Sequence, residues 1–102
     1  MELTINRELQ SKCRRWSISA SSKQDPNGVF SATDPVEVVI WADTAFVYKI
    51  GSNPTTQLPS ETTTGDMVWP ANTVARIGVP AGQKIAAATV TGTGTIVICP
   101  GI

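Results

Sequence analysis

Few residues in this chain are equipped for chemistry. It has two cysteines, Cys13 and Cys99, near opposite ends, and no histidine. Histidine is the commonest general base, a frequent proton shuttle and a leading zinc ligand, so its absence closes the usual routes to acid–base and metal-assisted hydrolysis. Cys13 lies between Lys12 and Arg14, and cationic neighbours favour a thiolate. No general base, oxyanion motif or metal set accompanies it, however, and a nucleophile alone does not make a catalytic site. Of the carboxylates near the strongest apolar segments, Asp34 with Glu37 and Asp43 are the candidates. Aspartate at a turn ordinarily accepts a local backbone N–H, and no catalytic pair emerges. Gly92-Thr93-Gly94 lacks the lysine and the following helix of a phosphate-binding loop. The expectation is a chain that is not an enzyme and takes no cofactor and no metal.

No run of eighteen apolar residues is present, and the N-terminus has no apolar leader. The expected setting is soluble and unexported, with no membrane partner. In that setting two reduced, largely buried thiols are favoured over a disulfide.

The net charge of zero hides an asymmetry. Residues 1–24 carry Arg7, Lys12, Arg14, Arg15 and Lys23 against Glu2 and Glu8, whereas the remainder has an excess of carboxylates. A basic leading segment on a mildly acidic body suits an arm that docks on an acidic neighbour, another copy of the chain included. The cluster from Lys12 to Trp16 is too short for a strong phosphate footprint, so nucleic acid is not the expected partner.

The elements that must position these residues are strands. Thirteen threonines, eight serines, eight glycines and seven prolines in 102 residues favour strands and turns. Only residues 2–12 offer a turn or two of helix, marginal at that length. Residues 15–21 alternate Trp16, Ile18 and Ala20 against Arg15, Ser17 and Ser19, the period of a half-buried strand. Asp25-Pro26-Asn27-Gly28 reads as a turn, which predicts a return strand over residues 29–33.

Residues 36–42 (VEVVIWA) and 45–50 (AFVYKI) are the most apolar segments and the expected core. Phe46, Tyr48 and Ile50 share one face; Lys49 lies on the other with Ala45 and Val47. Residues 42–44 make either a tight hairpin or a bend in one long strand. Residues 67–69, 73–79, 83–91 and 95–99 supply further strands. Pro80-Ala81-Gly82 is expected as a type I turn with proline at its second position, and residues 91–95 as a glycine-opened hairpin. The total is seven or eight short strands, hence an all-β sandwich, jelly roll or small barrel. Val38-Val39-Ile40 and Ile96-Val97-Ile98 are apolar on both faces, so a neighbouring element or subunit should cover the face turned away from the core.

Residues 51–66 (GSNPTTQLPSETTTGD) form a polar connection of a length that is usually functional or mobile; a plain crossover between sheets is the alternative. Most aromatic rings sit at strand-interior positions and belong in the core. Trp69, before Pro70 at the end of that connection, is either a core residue or an interface anchor.

Tyr48 to Ile102 carries a further pattern. Gly51-Ser52-Asn53-Pro54-Thr55-Thr56, then Pro70-Ala71-Asn72, then Val79-Pro80-Ala81-Gly82-Gln83-Lys84-Ile85-Ala86, then Gly92-Thr93-Gly94, in that order, resembles small β-rich virion proteins of tailed bacteriophages. The resemblance covers a little over half of the chain. It implies a capsid-associated structural protein of the cement or decoration type, with a jelly-roll-like sandwich over residues 15–102 behind an N-terminal arm of residues 1–14.

The further implications are a place on the virion's capsid surface after synthesis in the bacterial host's cytoplasm, contacts with the major capsid protein, and a homo-oligomer, a trimer above all. Docking is then expected around the arm's end, at Arg14, Arg15 and Trp16, and at Asn53, Pro54, Thr55 and Trp69 around the long connection. The alternative is a carbohydrate- or receptor-binding β module of a tail fibre or a neck/tail connector, with Trp69 and residues 53–64 forming its site.

Overall fold

The computed structural model describes residues 12–100. Most of the expected arm, and nearly all of the helix considered over residues 2–12, lie outside the described residues. Seven strands follow one another: β1 (Arg14–Ile18), β2 (Lys23–Gln24), β3 (Val36–Ala42), β4 (Phe46–Gly51), β5 (Ala75–Val79), β6 (Lys84–Thr89) and β7 (Gly94–Pro100). They pair antiparallel in two sheets, one ordered β1-β7-β3-β5 and the other β2-β6-β4. Consecutive strands never share a sheet, so each connection carries the chain across the sandwich. This alternation between two packed antiparallel sheets is that of a jelly roll. On the open side of β4, where an eighth strand would lie, there is a single bridge between Phe46 and Trp69.

Side-chain alternation explains why the sheets face each other. β3 turns Val38, Ile40 and Ala42 inward, β7 Ile96 and Ile98, β1 Trp16 and Ile18, and β5 Ala75 and Val79; Phe46, Ile85 and Ala87 meet them from the other sheet. Burying each of the larger side chains stabilises the fold by about 1.5–3 kcal/mol. Phe46 is in the core with Tyr48 and Ile50 packed against it, as their shared face requires.

Several expected elements take a different form. Residues 91–95 turn tightly, with Thr89 Oγ1 donating to Gly92 O at 2.7 Å, but the turn joins β6 to β7 across the sandwich and is no hairpin. Residues 43–45 likewise bend the chain from one sheet to the other. The two corners are tied: Asp43 N donates to Thr95 O at 3.2 Å, and Thr95 N to Asp43 Oδ1 at 2.8 Å. In the turn after β5, Gln83 N donates to Pro80 O, which makes Pro80 the first residue and Gly82 the third, at φ 76°. Only glycine takes that conformation cheaply.

Residues 29–33 form no strand. Arg14 donates to the carbonyls of Gly28 and Val29, and Ser31 O accepts from Gly82 N, so side-chain and turn donors hold this segment where a ladder was expected. Cys13 and Cys99 form a disulfide with a Cα separation of 4.1 Å, which corrects the expectation of reduced thiols. The β1–β7 register puts Arg14 opposite Ile98; the preceding residue then falls opposite Cys99, and sheet pairing itself brings the two sulfurs together.

Candidate functional site

The two outer faces of the sandwich are treated differently. On the three-stranded sheet, register sets Gln24, Ala86 and Lys49 in one outward row, and Val47 and Ala88 in the next. Val47, Ala86 and Ala88 are nonetheless buried. Residues 52–66 cover them. Gln24 Nε2 donates to Asn53 Oδ1 at 2.7 Å and to Pro54 O at 3.3 Å, Thr56 N donates to Ser22 Oγ at 2.9 Å, and Lys49 Nζ lies 3.6 Å from Asp66 Oδ1. Alanines on β6 leave room for this third layer. The covering segment is itself closed: Asp66 N donates to Gln57 O at 2.7 Å, and Gln57 N to Asp66 Oδ2 at 2.8 Å. The long connection is thus a crossover that also serves as a lining for the sheet.

On the four-stranded sheet no described residue plays that part. Register aligns Arg15, Val97 and Trp41 straight across β1, β7 and β3. Carried one residue beyond Ile40↔Ala75, it brings Val74 opposite Trp41. The adjacent row is the disulfide, Val39 and Arg76. Trp41 is 36% exposed and Val74 62%. Val39 and Val97 are half-buried, and Arg15 is exposed. Arg15, Trp41, Val97, Thr95 and Asp43 line a shallow recess in this face.

The residues expected to dock are dispersed. Trp16 is only 5% exposed and is part of the core, with its Nε1–H buried and lacking an acceptor among the described residues. Arg14 is a structural residue: it donates to Asp25 Oδ2 at 2.9 Å and to Gly28 O at 3.0 Å, and its Cζ lies 3.9 Å from the centre of the Phe30 ring. Arg15 faces outward on the four-stranded sheet. Asn53 and Thr55 are exposed on the covering segment, whereas Pro54 between them is buried. Trp69 is half-buried, exchanges two main-chain hydrogen bonds with Phe46 (2.8 and 3.0 Å), and stacks on Tyr48 with ring centres 6.3 Å apart. Only Arg15 belongs to the open face.

Trp41, Val39, Val97 and Val74 are the residues that motif reading passed over, with Trp41 counted into the core. The available signal was the two-sided apolar character of β3 and β7.

Burial raises the Tyr48 phenol above its ordinary value of 10.0. Among the described residues no three His, Cys, Asp or Glu side chains gather into a metal-holding group, and no helix is long and apolar enough to cross a membrane. Comparison with protein families, with curated proteins and with solved structures finds no match. Fold and surface together make the molecule a disulfide-tied jelly-roll sandwich with one lined outer face and one left open among the described residues.

Proposed function

We propose that this chain is a structural protein of a bacteriophage virion, binding the outside of the capsid and bridging major capsid subunits as a cement or decoration protein. The observation that carries the reading is the open face of the four-stranded sheet, an apolar-centred surface that no described residue covers and that an association partner could bury. The Cys13–Cys99 bond adds support, because disulfides persist in oxidising settings, virion surfaces among them, and are rare in the cytosol. The virion-protein resemblance over residues 48–102 points the same way.

The physical task of such a protein is association. Binding free energy gained only on the assembled shell stabilises that shell by mass action against loss of subunits or expansion. Copies joined as a symmetric trimer raise their mutual effective concentration, so modest contacts per copy suffice. The sandwich holds the docking surface in place and carries out no reaction.

The test is fractionation of the purified protein with the assembled shells of its virion. Co-sedimentation in near-stoichiometric copies is expected. Binding on a glycan array without shell association would replace this reading by the carbohydrate-binding one. Trp69 gives that alternative less support, since its backbone is paired with Phe46 and its ring lies against Tyr48.

A further inference from the structure

The open face has a chemistry that specifies more than its location. Its centre is apolar: Val39, Trp41 and Val97 on adjoining strands, with Val74 at the β5 side. Its charges are unequal in availability. Arg76 is already 3.8 Å from Glu37, and Asp43 Oδ1 accepts from Thr95 N at 2.8 Å. Arg15, on the β1 side of the same row, forms no ion pair among the described residues. An apolar centre with one unpaired guanidinium on a defined flank calls for a complementary surface: apolar side chains over Trp41, and a carboxylate facing β1.

Size adds a constraint. Four strands at the usual spacing span about 15 Å, so the face offers on the order of 200–300 Å². A stable one-to-one complex ordinarily buries about 800 Å² per partner. The face alone is too small for tight binding by a single copy, and suits a site engaged several times at once on a repeating surface.

We propose that the row Arg15–Val97–Trp41–Val74 is the surface that meets the shell, and that it seats an apolar, carboxylate-flanked patch of a capsid subunit. The proposal rests on the capsid-binding reading. It moves docking away from Arg14, Trp16 and the covering segment, and it keeps Arg15. Trp41 is the anchor, since it lies inside the row, between Val97 and Val74, and tryptophan is enriched among the residues that carry most of an interface's binding energy. Arg15 sets orientation and on-rate.

The experiment is equilibrium co-sedimentation of the full chain with purified shells, comparing wild type with Trp41→Glu, Arg15→Glu, Arg15→Lys and Thr62→Glu. Thr62 is exposed near the far end of the covering segment. Trp41→Glu and Arg15→Glu are expected to weaken binding by about 30-fold or more. Arg15→Lys should keep most of it, and Thr62→Glu should bind as wild type. Added salt should weaken the wild type more than Arg15→Glu. Val74→Glu, at a more exposed position, replaces Trp41→Glu should that variant fail to fold. If Arg15→Glu and the Trp41 or Val74 variant sediment as wild type, this face is not the docking surface, though the capsid reading survives. If wild-type protein ignores the shells, the capsid reading falls and this proposal with it.

Discussion

Arg14 donates to Asp25 Oδ2 at 2.9 Å, and the Asp25 side chain is wholly buried where the two meet. Asp25 Oδ1 also accepts from Asn27 N at 2.8 Å, and the Asp25 backbone N donates to Ile85 O, also at 2.8 Å. The carboxylate therefore joins β1 to the turn at residues 25–28, and the main chain of the same residue ties that turn to the start of β6. Arg14 belongs to the basic cluster that suggests docking, yet its guanidinium is occupied by Asp25, two carbonyls and the Phe30 ring. Charge pattern identifies cations; it does not tell which are already paired.

Removing that carboxylate should be costly. Asp25→Ala would leave Arg14 without its partner and the Asn27 N–H without its acceptor, and breaking a buried pair from one side costs about 3–5 kcal/mol. The Arg14 side chain keeps 19% exposure, and residual hydration lowers the expectation to about 2–3 kcal/mol. Urea denaturation of the variant against wild type reads this directly. A loss below about 0.5 kcal/mol would show that the pair is solvated and adds little.

The Cys13–Cys99 bond closes almost the whole chain into one loop, the two residues being 86 positions apart. The chain-entropy model assigns a loop of that length about 4.6 kcal/mol of stabilisation, an upper figure because denatured chains retain structure. Among the described residues β1 is an edge strand whose only ladder is with β7, so it should be the first element released. The double variant Cys13→Ala/Cys99→Ala is expected to denature at clearly lower urea, with amide exchange rising first over residues 14–18. Wild type in strong reductant should behave alike, and equal midpoints for oxidised and reduced protein would contradict this.

The strands were largely legible because their period-two alternation answers a simple physical demand, one face dry and one wet. Trp16 and Ile18 against Arg15 and Ser17 is the clearest case, and the structure keeps that division. Topology was not legible. Turn residues around Gly82, Gly92 and Asp43 report that the chain reverses or bends; they carry no mark of which sheet it enters next. The disulfide is not legible in the sequence, because it depends on β1 and β7 being neighbours, which two cysteines 86 positions apart do not announce. Residue type alone puts Trp41 in the core, although parity with Val39 puts it on the opposite face from Val38 and Ile40. Two-sided apolar character in β3 and β7 did announce that something must cover the outer face.

Tyr48 makes stability sensitive to alkaline pH. Burial disfavours its phenolate, so the folded-state pKa lies above the ordinary 10.0. A group whose folded pKa is raised contributes its full stabilisation below the unfolded value and loses it as pH rises through the folded value. Unfolding free energy should therefore fall from about pH 10 upward as the unfolded chain releases this proton first. Tyr48→Phe, which removes only the ionisable hydroxyl, is the comparison that isolates this group. The wild type should show a steeper decline than Tyr48→Phe between about pH 9 and pH 11.5, and parallel curves would mean that Tyr48 is as hydrated as in the unfolded chain.

Gly65 decides whether the lining of the three-stranded sheet can close. A Cβ at this position would lie 2.5 Å from Gln57 O and Pro59 N, main-chain atoms that cannot swing aside as a side chain can. Gly65→Ala should therefore force apart the pairing of Gln57 with Asp66 and loosen the segment that lies over Val47, Ala86 and Ala88. Exposed small alanines and one valine cost little individually, so the expected stability loss is about 1–2 kcal/mol with the fold retained. The sharper readout is amide exchange. Protection should fall over residues 52–66 while β3 and β7, on the opposite sheet, stay protected. Binding through the open face should be unaffected, because Trp41 and Arg15 lie across the sandwich from Gly65. Unchanged exchange over residues 52–66 would show that the segment accommodates the methyl group. Loss of shell binding in the variant would place the lining, rather than the open face, in contact with the partner.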